Sequence, residues 1–239
     1  MKYIYGPVNS RRIGRSLGVS LTDFKTCNFD CVYCQLGRTR NRYLQRKEYV
    51  KIEEIFAEFS SWMECNPDQA KELDYVTLSG TGEPLLNIRI DELIRRIKKA
   101  TTVPVCVITN SSLLSSSEAR QQLLQAELII PSLDAVTDAI FQAIDRPDPQ
   151  IKVGDIISGL IELRKEFKGK IWLEVMLIKG MNDSPAHIRR LKEAIDQIKP
   201  DKVQLNSPAR NTAEAGALKV DDIRLKEIQD LIGPNCEIF

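Results

Sequence analysis

Cys27, Cys31 and Cys34 stand at C-x3-C-x2-C spacing inside the segment Thr26-Cys27-Asn28-Phe29-Asp30-Cys31-Val32-Tyr33-Cys34. Three thiolates this close in sequence can turn inward around one metal centre. A structural zinc site needs a fourth ligand. The chain has one histidine, His187, on a predicted helix far along the sequence, where a surface or capping position is the expectation. Cys65 falls at a helix end, Cys106 within a strand and Cys236 near the terminus. A zinc site borrowing Cys65 or Cys236 is therefore one reading. The other is a four-iron cluster on three ligands, which leaves one iron open, and an open position means chemistry rather than scaffolding.

A second constellation is Ser79-Gly80-Thr81-Gly82-Glu83-Pro84, directly after the apolar run Asp74–Gly80. Small residues at a strand's carboxyl end let the backbone approach a ligand closely and leave amide and carbonyl groups free to bind it. The alternative is a tight strand-to-helix turn. A dinucleotide fingerprint is excluded, because Leu85 occupies the third glycine position. Other strand ends offer polar groups: Asn110-Ser111, then Ser132 and Asp134, then Asn206. Glu174 lies inside a strand, where an unpaired buried carboxylate would be costly, so a buried Arg or Lys partner is expected.

The elements that must position these residues follow from the apolar pattern. Runs at Asp74–Gly80, Val103–Asn110, Glu127–Leu133, Ile171–Ile178 and Lys202–Asn206 read as buried strands, and Gly18–Thr22 as a first strand. Between them, stripes such as Ile52, Ile55, Phe56, Phe59, Trp62 and Met63, or Ile90, Leu93, Ile94 and Ile97, repeat at helical spacing. Ser184-Pro185 reads as an N-cap and first helical position, and Gly233-Pro234 ends a last helix near Asp221–Ile232. Strand–helix alternation about six times over predicts a parallel α/β sheet, either doubly wound or an incomplete barrel, with its chemistry at the carboxyl ends of the strands.

The chain of 239 residues carries 43% apolar and 28% charged residues and a net charge of +1, values of an ordinary globular enzyme. They exclude a disordered, fibrous or broadly polyanion-binding chain. Without a long apolar run or a secretory signal at the N-terminus, a cytoplasmic protein is expected, with its cysteines reduced or ligating rather than paired in disulfides. Charge is unevenly spread. Residues 1–50 hold ten Lys or Arg against Asp23, Asp30 and Glu48, a local excess of +7.

With an aromatic residue just before its third cysteine, the cysteine loop resembles the cluster loop of the radical S-adenosylmethionine (SAM) superfamily. Gly80-Thr81-Gly82-Glu83-Pro84 is similar to that superfamily's GGEP motif, with Thr81 in place of its second glycine. The resemblance implies one domain over 1–239, a partial (β/α)6 TIM-type barrel with outer helices, a cluster loop at 27–34 and a C-terminal helix and tail from about 221. It implies a [4Fe–4S] cluster on Cys27, Cys31 and Cys34. S-adenosylmethionine would touch Tyr33, Gly80, Thr81, Gly82 and Glu83, together with Asn110, Ser132, Asp134 and Asn206. It implies an electron donor such as flavodoxin or ferredoxin, and no catalytic side chain beyond the ligands.

The opening Tyr5–Val19, continuing through Lys25–Gly37, resembles short relatives of the archaeal wyosine-synthesising tRNA enzymes, as do Pro131–Ala135, Lys179–Asp183 and Gln204–Pro208. Those enzymes carry a second set of cysteines upstream of the cluster loop, whereas no cysteine precedes Cys27 here. The resemblance implies tRNA as one possible substrate. Arg11, Arg12, Arg15, Arg38, Arg40, Arg42, Arg46 and Lys47 around the loop would contact it, unless they serve solvated loops, SAM or buried carboxylates. The alternatives are an activase that makes a glycyl radical on a protein partner, and a non-enzymatic metal-binding module.

Overall fold

A computed structural model describes all residues, Met1–Phe239. Eight strands form one sheet: β1 Ile4–Ser10, β2 Gly14–Ser20, β3 Tyr75–Ser79, β4 Val105–Thr109, β5 Leu128–Pro131, β6 Lys170–Met176, β7 Lys202–Asn206 and β8 Cys236–Ile238. The helices are α1 Ile52–Cys65, α2 Pro67–Lys71, α3 Ile90–Ala100, α4 Ser117–Gln121, α5 Asp138–Ile144, α6 Val153–Glu166, α7 Pro185–Ile198 and α8 Asp222–Ile232. Strands β2 to β8 pair in parallel and in strict chain order, with β1 antiparallel at the edge. A doubly wound sheet reverses its strand order at a switch point. None occurs here, so right-handed crossovers put the helices on one face and leave the other to curl inward as an open barrel. No helix is long and apolar enough to cross a membrane.

The strand pleat separates two different faces. Leu17, Val19, Val76, Leu78, Val105, Val107, Leu173, Val175, Val203 and Leu205 face outward and join the helical stripes of α1, α3, α6 and α7 in one core. The stripes expected from sequence are buried as read, with Phe56 and Met63 packed against the core edge. The inner face is mixed. Cys106, Leu128 and Ile130 form a small apolar cluster there with Ile13, while Ser16, Ser20 and Thr77 supply hydroxyls. Near-continuous hydrophobicity describes β4 and β5 well, and β2 and β3 less well.

The N-terminal hairpin β1–β2 was not evident in the sequence, which gave only a first strand at 18–22. Its turn packs Ile13 against Cys106, Leu128 and Ile130 and brings Arg12 Nη1 to 2.7 Å from Glu174 Oε2. That contact supplies the basic partner expected for Glu174. From β1, the Tyr5 ring lies across Gly18, where a Cβ would come 2.1 Å from Tyr5 Cζ, and its hydroxyl meets Ser79 Oγ at 2.6 Å. Gly18 thus opens the inner face to a ring from the neighbouring strand. Strand β8, also absent from the sequence reading, is three residues long and closes the far edge on β7.

Ser184 caps α7 by accepting a hydrogen bond from His187 N at 3.3 Å, with Pro185 at the first helical position. His187 itself is a correction: it is buried, and neither ring nitrogen has a partner. The helical phase turns this position inward even though the residue type suits a surface. Burial holds the imidazole below its ordinary value of 6.5. A folded state that binds the proton more weakly than the unfolded chain loses stability as pH falls below about 6.5. Because His187 is the only histidine, urea melts at pH 5.5 and 7.5 isolate its effect through the His187→Leu variant. The difference in stability between variant and wild type should grow in the variant's favour at the lower pH; an unchanged difference would show that the imidazole protonates freely in the fold.

Candidate cofactor and substrate cavity

The loop after β2 and the loop after β3 are stitched together by backbone. Lys25 N donates to the Thr81 carbonyl at 2.6 Å, and Glu83 N donates to the Thr26 carbonyl at 2.9 Å. Gly82 permits the approach, since a Cβ there would fall 2.0 Å from the Thr26 carbonyl oxygen and 2.6 Å from Thr22 Oγ1. Gly80 adopts φ +114°, a region favoured by glycine, beside Ser20. Thr81 Oγ1 donates to the Thr22 carbonyl at 2.9 Å and contacts Ser20 Oγ at 2.7 Å. The tight strand-to-helix turn, one of the two readings of the sequence, is therefore present.

Glu83 is buried, and three donors converge on its carboxylate: Thr109 Oγ1 at 2.7 Å, Leu85 N at 3.0 Å and Asn110 N at 2.8 Å. Burial pushes the carboxyl up to about 7, against the pull of those donors. Two carboxylate oxygens offer about four acceptor positions, so one remains for a ligand. Asn110 Nδ2 donates to Asn28 Oδ1 at 2.8 Å and lies 3.5 Å from Cys27 Sγ, tying the end of β4 to the cysteine loop.

Cys27, Cys31 and Cys34 are all half-buried and line one cavity of about 590 Å³, together with Tyr33, Gly80, Thr81, Gly82, Glu83, Asn110 and Ser132. That volume lies within the range of small-molecule sites. No three Cys, His, Asp or Glu side chains are grouped so as to hold a single metal ion. Cys65 is exposed on α1, and neither Cys236 nor His187 borders the cavity, so the ligands that a zinc site would borrow lie elsewhere. Lys25 Nζ donates to Cys34 Sγ at 3.1 Å, a cation placed against a sulfur. Burial pushes the Cys27 thiol up to about 12 and the Cys31 thiol well above its ordinary value. As free thiols they are poor nucleophiles; a cationic metal centre is what would deprotonate them. Three sulfurs lining one open cavity, with donors aimed at two of them, are a donor set that a cluster with three protein ligands would use.

Two of the expected contacts are placed differently. Asp134 does not border this cavity: it is buried beneath, taking the Tyr33 hydroxyl and Met176 N, the latter at 2.7 Å. Burial pushes it up to about 7, and the adjoining Asp145, raised by burial and then by Asp134, lies 3.6 Å from Cys31 Sγ. Asn206 donates to Glu174 Oε1 at 2.9 Å and borders a second cavity instead. Asp145 carried no signal in the sequence, and Tyr5 and Lys25 stood out only as members of the distinctive Tyr5–Val19 and Lys25–Gly37 segments. Arg12, a candidate contact to tRNA, SAM or a buried carboxylate, pairs with the carboxylate of Glu174.

The sequence profile of the "Radical SAM superfamily" matches residues 21–191, which contain the cysteine loop and the Gly80–Pro84 loop. The chain belongs to the radical SAM superfamily. It is 36% identical over 211 residues to a UPF0026 protein of Synechocystis, covering 87% of this chain and 76% of that one. It is 40% identical over 237 residues to a Brachyspira hyodysenteriae protein named GTPase Obg, spanning 99% of this chain but only 34% of the longer protein. Among solved structures, a radical SAM methyltransferase from Sphaerobacter thermophilus superposes with a TM-score of 0.69 at 17% identity, over 94% of this chain and 65% of that one. At that identity the likeness is one of fold.

The Gly82 contact carries a prediction. Gly82→Ala should lower unfolding stability by more than about 2 kcal/mol, because the Cβ meets backbone that cannot swing aside. Gly216→Ala, where a Cβ meets nothing within 4 Å, should stay within about 0.5 kcal/mol of wild type. Urea titration of both variants reads the contrast, and equal effects would refute the stitched-loop account.

Proposed function

We propose that this chain is a radical SAM enzyme in which Cys27, Cys31 and Cys34 hold a [4Fe–4S] cluster and S-adenosylmethionine binds against it along Gly80–Glu83. The supporting observation is that the three cysteines and the glycine-rich loop line one cavity at the carboxyl ends of β2 and β3. Held there, the cluster would supply the one-electron reduction that cleaves a carbon–sulfur bond of S-adenosylmethionine and so initiates hydrogen-atom abstraction from a substrate. The chain's residues position and shield. Lys25 and Asn110 donate toward cysteine sulfurs, Gly80 and Gly82 keep the wall low, and the remaining acceptor position on Glu83 suits an ammonium group. Tyr33, anchored by Asp134, holds its ring in the wall. An electron donor such as flavodoxin or ferredoxin is the partner this chemistry requires.

Anaerobic reconstitution with iron and sulfide tests the ligand set. Cys27→Ala, Cys31→Ala and Cys34→Ala should each lose the cluster and 5′-deoxyadenosine production. Cys65→Ala, Cys106→Ala and Cys236→Ala should each retain about four irons per chain. Loss of iron in two of the latter three would mean a second cluster and revive the wyosine parallel.

The RNA reading draws less support from the structure than from the sequence. Arg12 pairs with Glu174, Arg15 with Glu72, Arg38 with Asp30 and Glu214, and Arg46 with Glu118. Arg40 and Arg42 are exposed without ion pairs. Binding by a phosphate-contacting patch weakens steeply with salt. Titration of tRNA at several salt concentrations should show only weak binding, changed less than about threefold in the Arg40→Ala/Arg42→Ala variant. A tight, salt-steep affinity lost in that variant would instead establish RNA as the substrate class.

A further inference from the structure

A second cavity of about 330 Å³ adjoins the first and shares Arg12, Tyr33, Gln35, Glu174 and Met176 with it. Its outer wall is built from the β1–β2 turn and the segment after β7, and it ends at Phe239. Arg11, Arg12 and Arg210 line it from those segments, with Glu174 as its side-chain carboxylate and the terminal residue Phe239 beside them. Glu174 is already engaged by Asn206 at 2.9 Å and by Arg12 at 2.7 Å. The Arg12 contact is one of charge without alignment: Nη1 is buried and has no hydrogen-bond acceptor. Arg11 and Arg210 are exposed and make no ion pair. Buried donors without acceptors are costly, and guanidinium forks match oxyanions in both geometry and charge.

We propose that this second cavity is the substrate subsite, and that it takes a small molecule carrying a multiply charged oxyanion, a phosphate ester or a polycarboxylate, on Arg11, Arg12 and Arg210. The assignment to substrate rests on the proposed radical SAM reading; the oxyanion site itself does not. The shared wall would set the anion's carbon skeleton beside the cysteine-lined cavity, with the charged end held away from it. Three arginines in a walled pocket of this volume suit a compact ligand rather than an extended strand, whose phosphates would follow an open groove.

The test uses the full chain, with and without reconstituted cluster, and two probes, inorganic pyrophosphate and citrate. Calorimetry should show one saturable site for at least one probe, and the preferred probe identifies phosphate or carboxylate as the natural head group. Arg11→Ala and Arg210→Ala, both at exposed positions without partners, should each weaken binding about tenfold, while Arg40→Ala should leave it unchanged. S-adenosylmethionine should not compete. Failure to assemble a cluster with binding intact would sink the radical SAM reading and leave the oxyanion site standing. No saturable binding, equal weakening by Arg40→Ala, displacement by S-adenosylmethionine, or binding only of tRNA would each overturn the proposal.

Discussion

The Thr26 carbonyl accepts Glu83 N across a gap that only a glycine at position 82 leaves open. This contact joins the cysteine loop to the end of β3, and the rest of the site is built on it. Glu83, fixed at its own backbone, directs its carboxylate to Thr109, Asn110 and Leu85, which sets the end of β4. Asn110, set in turn, reaches Asn28 and Cys27 on the cysteine loop. The chain of contacts closes on itself, so the positions of the three sulfurs and the glycine-rich wall are one geometric problem. Desolvating Glu83 is the cost, visible in its raised pKa. Its three donors offset that cost in part, as buried carboxylates require.

The other structural decision is what fills the barrel's interior. Side chains from β4 and β5 pack Cys106, Leu128 and Ile130 there, but β2 and β3 offer serine, threonine and glycine. The hairpin answers the shortage. Its turn supplies Ile13 to the apolar cluster and Arg12 to Glu174, and β1 lays Tyr5 across Gly18 toward Ser79. One edge element thus plugs the interior and contributes walls to both cavities, which is why a segment well before the cysteines belongs to the site.

Legibility followed the range of the interactions. Strands β3 to β7 were readable because they are short, apolar and flanked by helical stripes, and α7 and α8 because their caps are local. The Cys27–Cys34 and Gly80–Pro84 loops were readable because each carries its chemistry in a few adjacent residues. The hairpin was not, since Ile4–Ser10 contains glycine and proline and alternates weakly. Asp134 was read as a ligand contact from its place after a strand, yet the pleat and the Tyr33 hydroxyl take it under the wall. His187 failed for the opposite reason: residue type suggested a surface, and helical phase decided otherwise.

Local charge was the least transferable quantity. The +7 excess of residues 1–50 suggests a polyanion surface only while its partners are out of sight. Folding brings Glu72, Glu118 and Glu214, each from a different later segment, onto Arg15, Arg46 and Arg38. Ion pairs exposed to water contribute little to stability, but they remove guanidinium donors from competition for an external ligand. The arginines left over are then set by topology rather than by sequence density. Arg11 and Arg210, on the β1–β2 turn and the segment after β7, border the cavity and remain outside every ion pair. Where charge stays uncompensated on a concave wall, field lines concentrate and an anion is drawn in; the same charge on exposed loop residues, as at Arg40 and Arg42, is screened by solvent and salt.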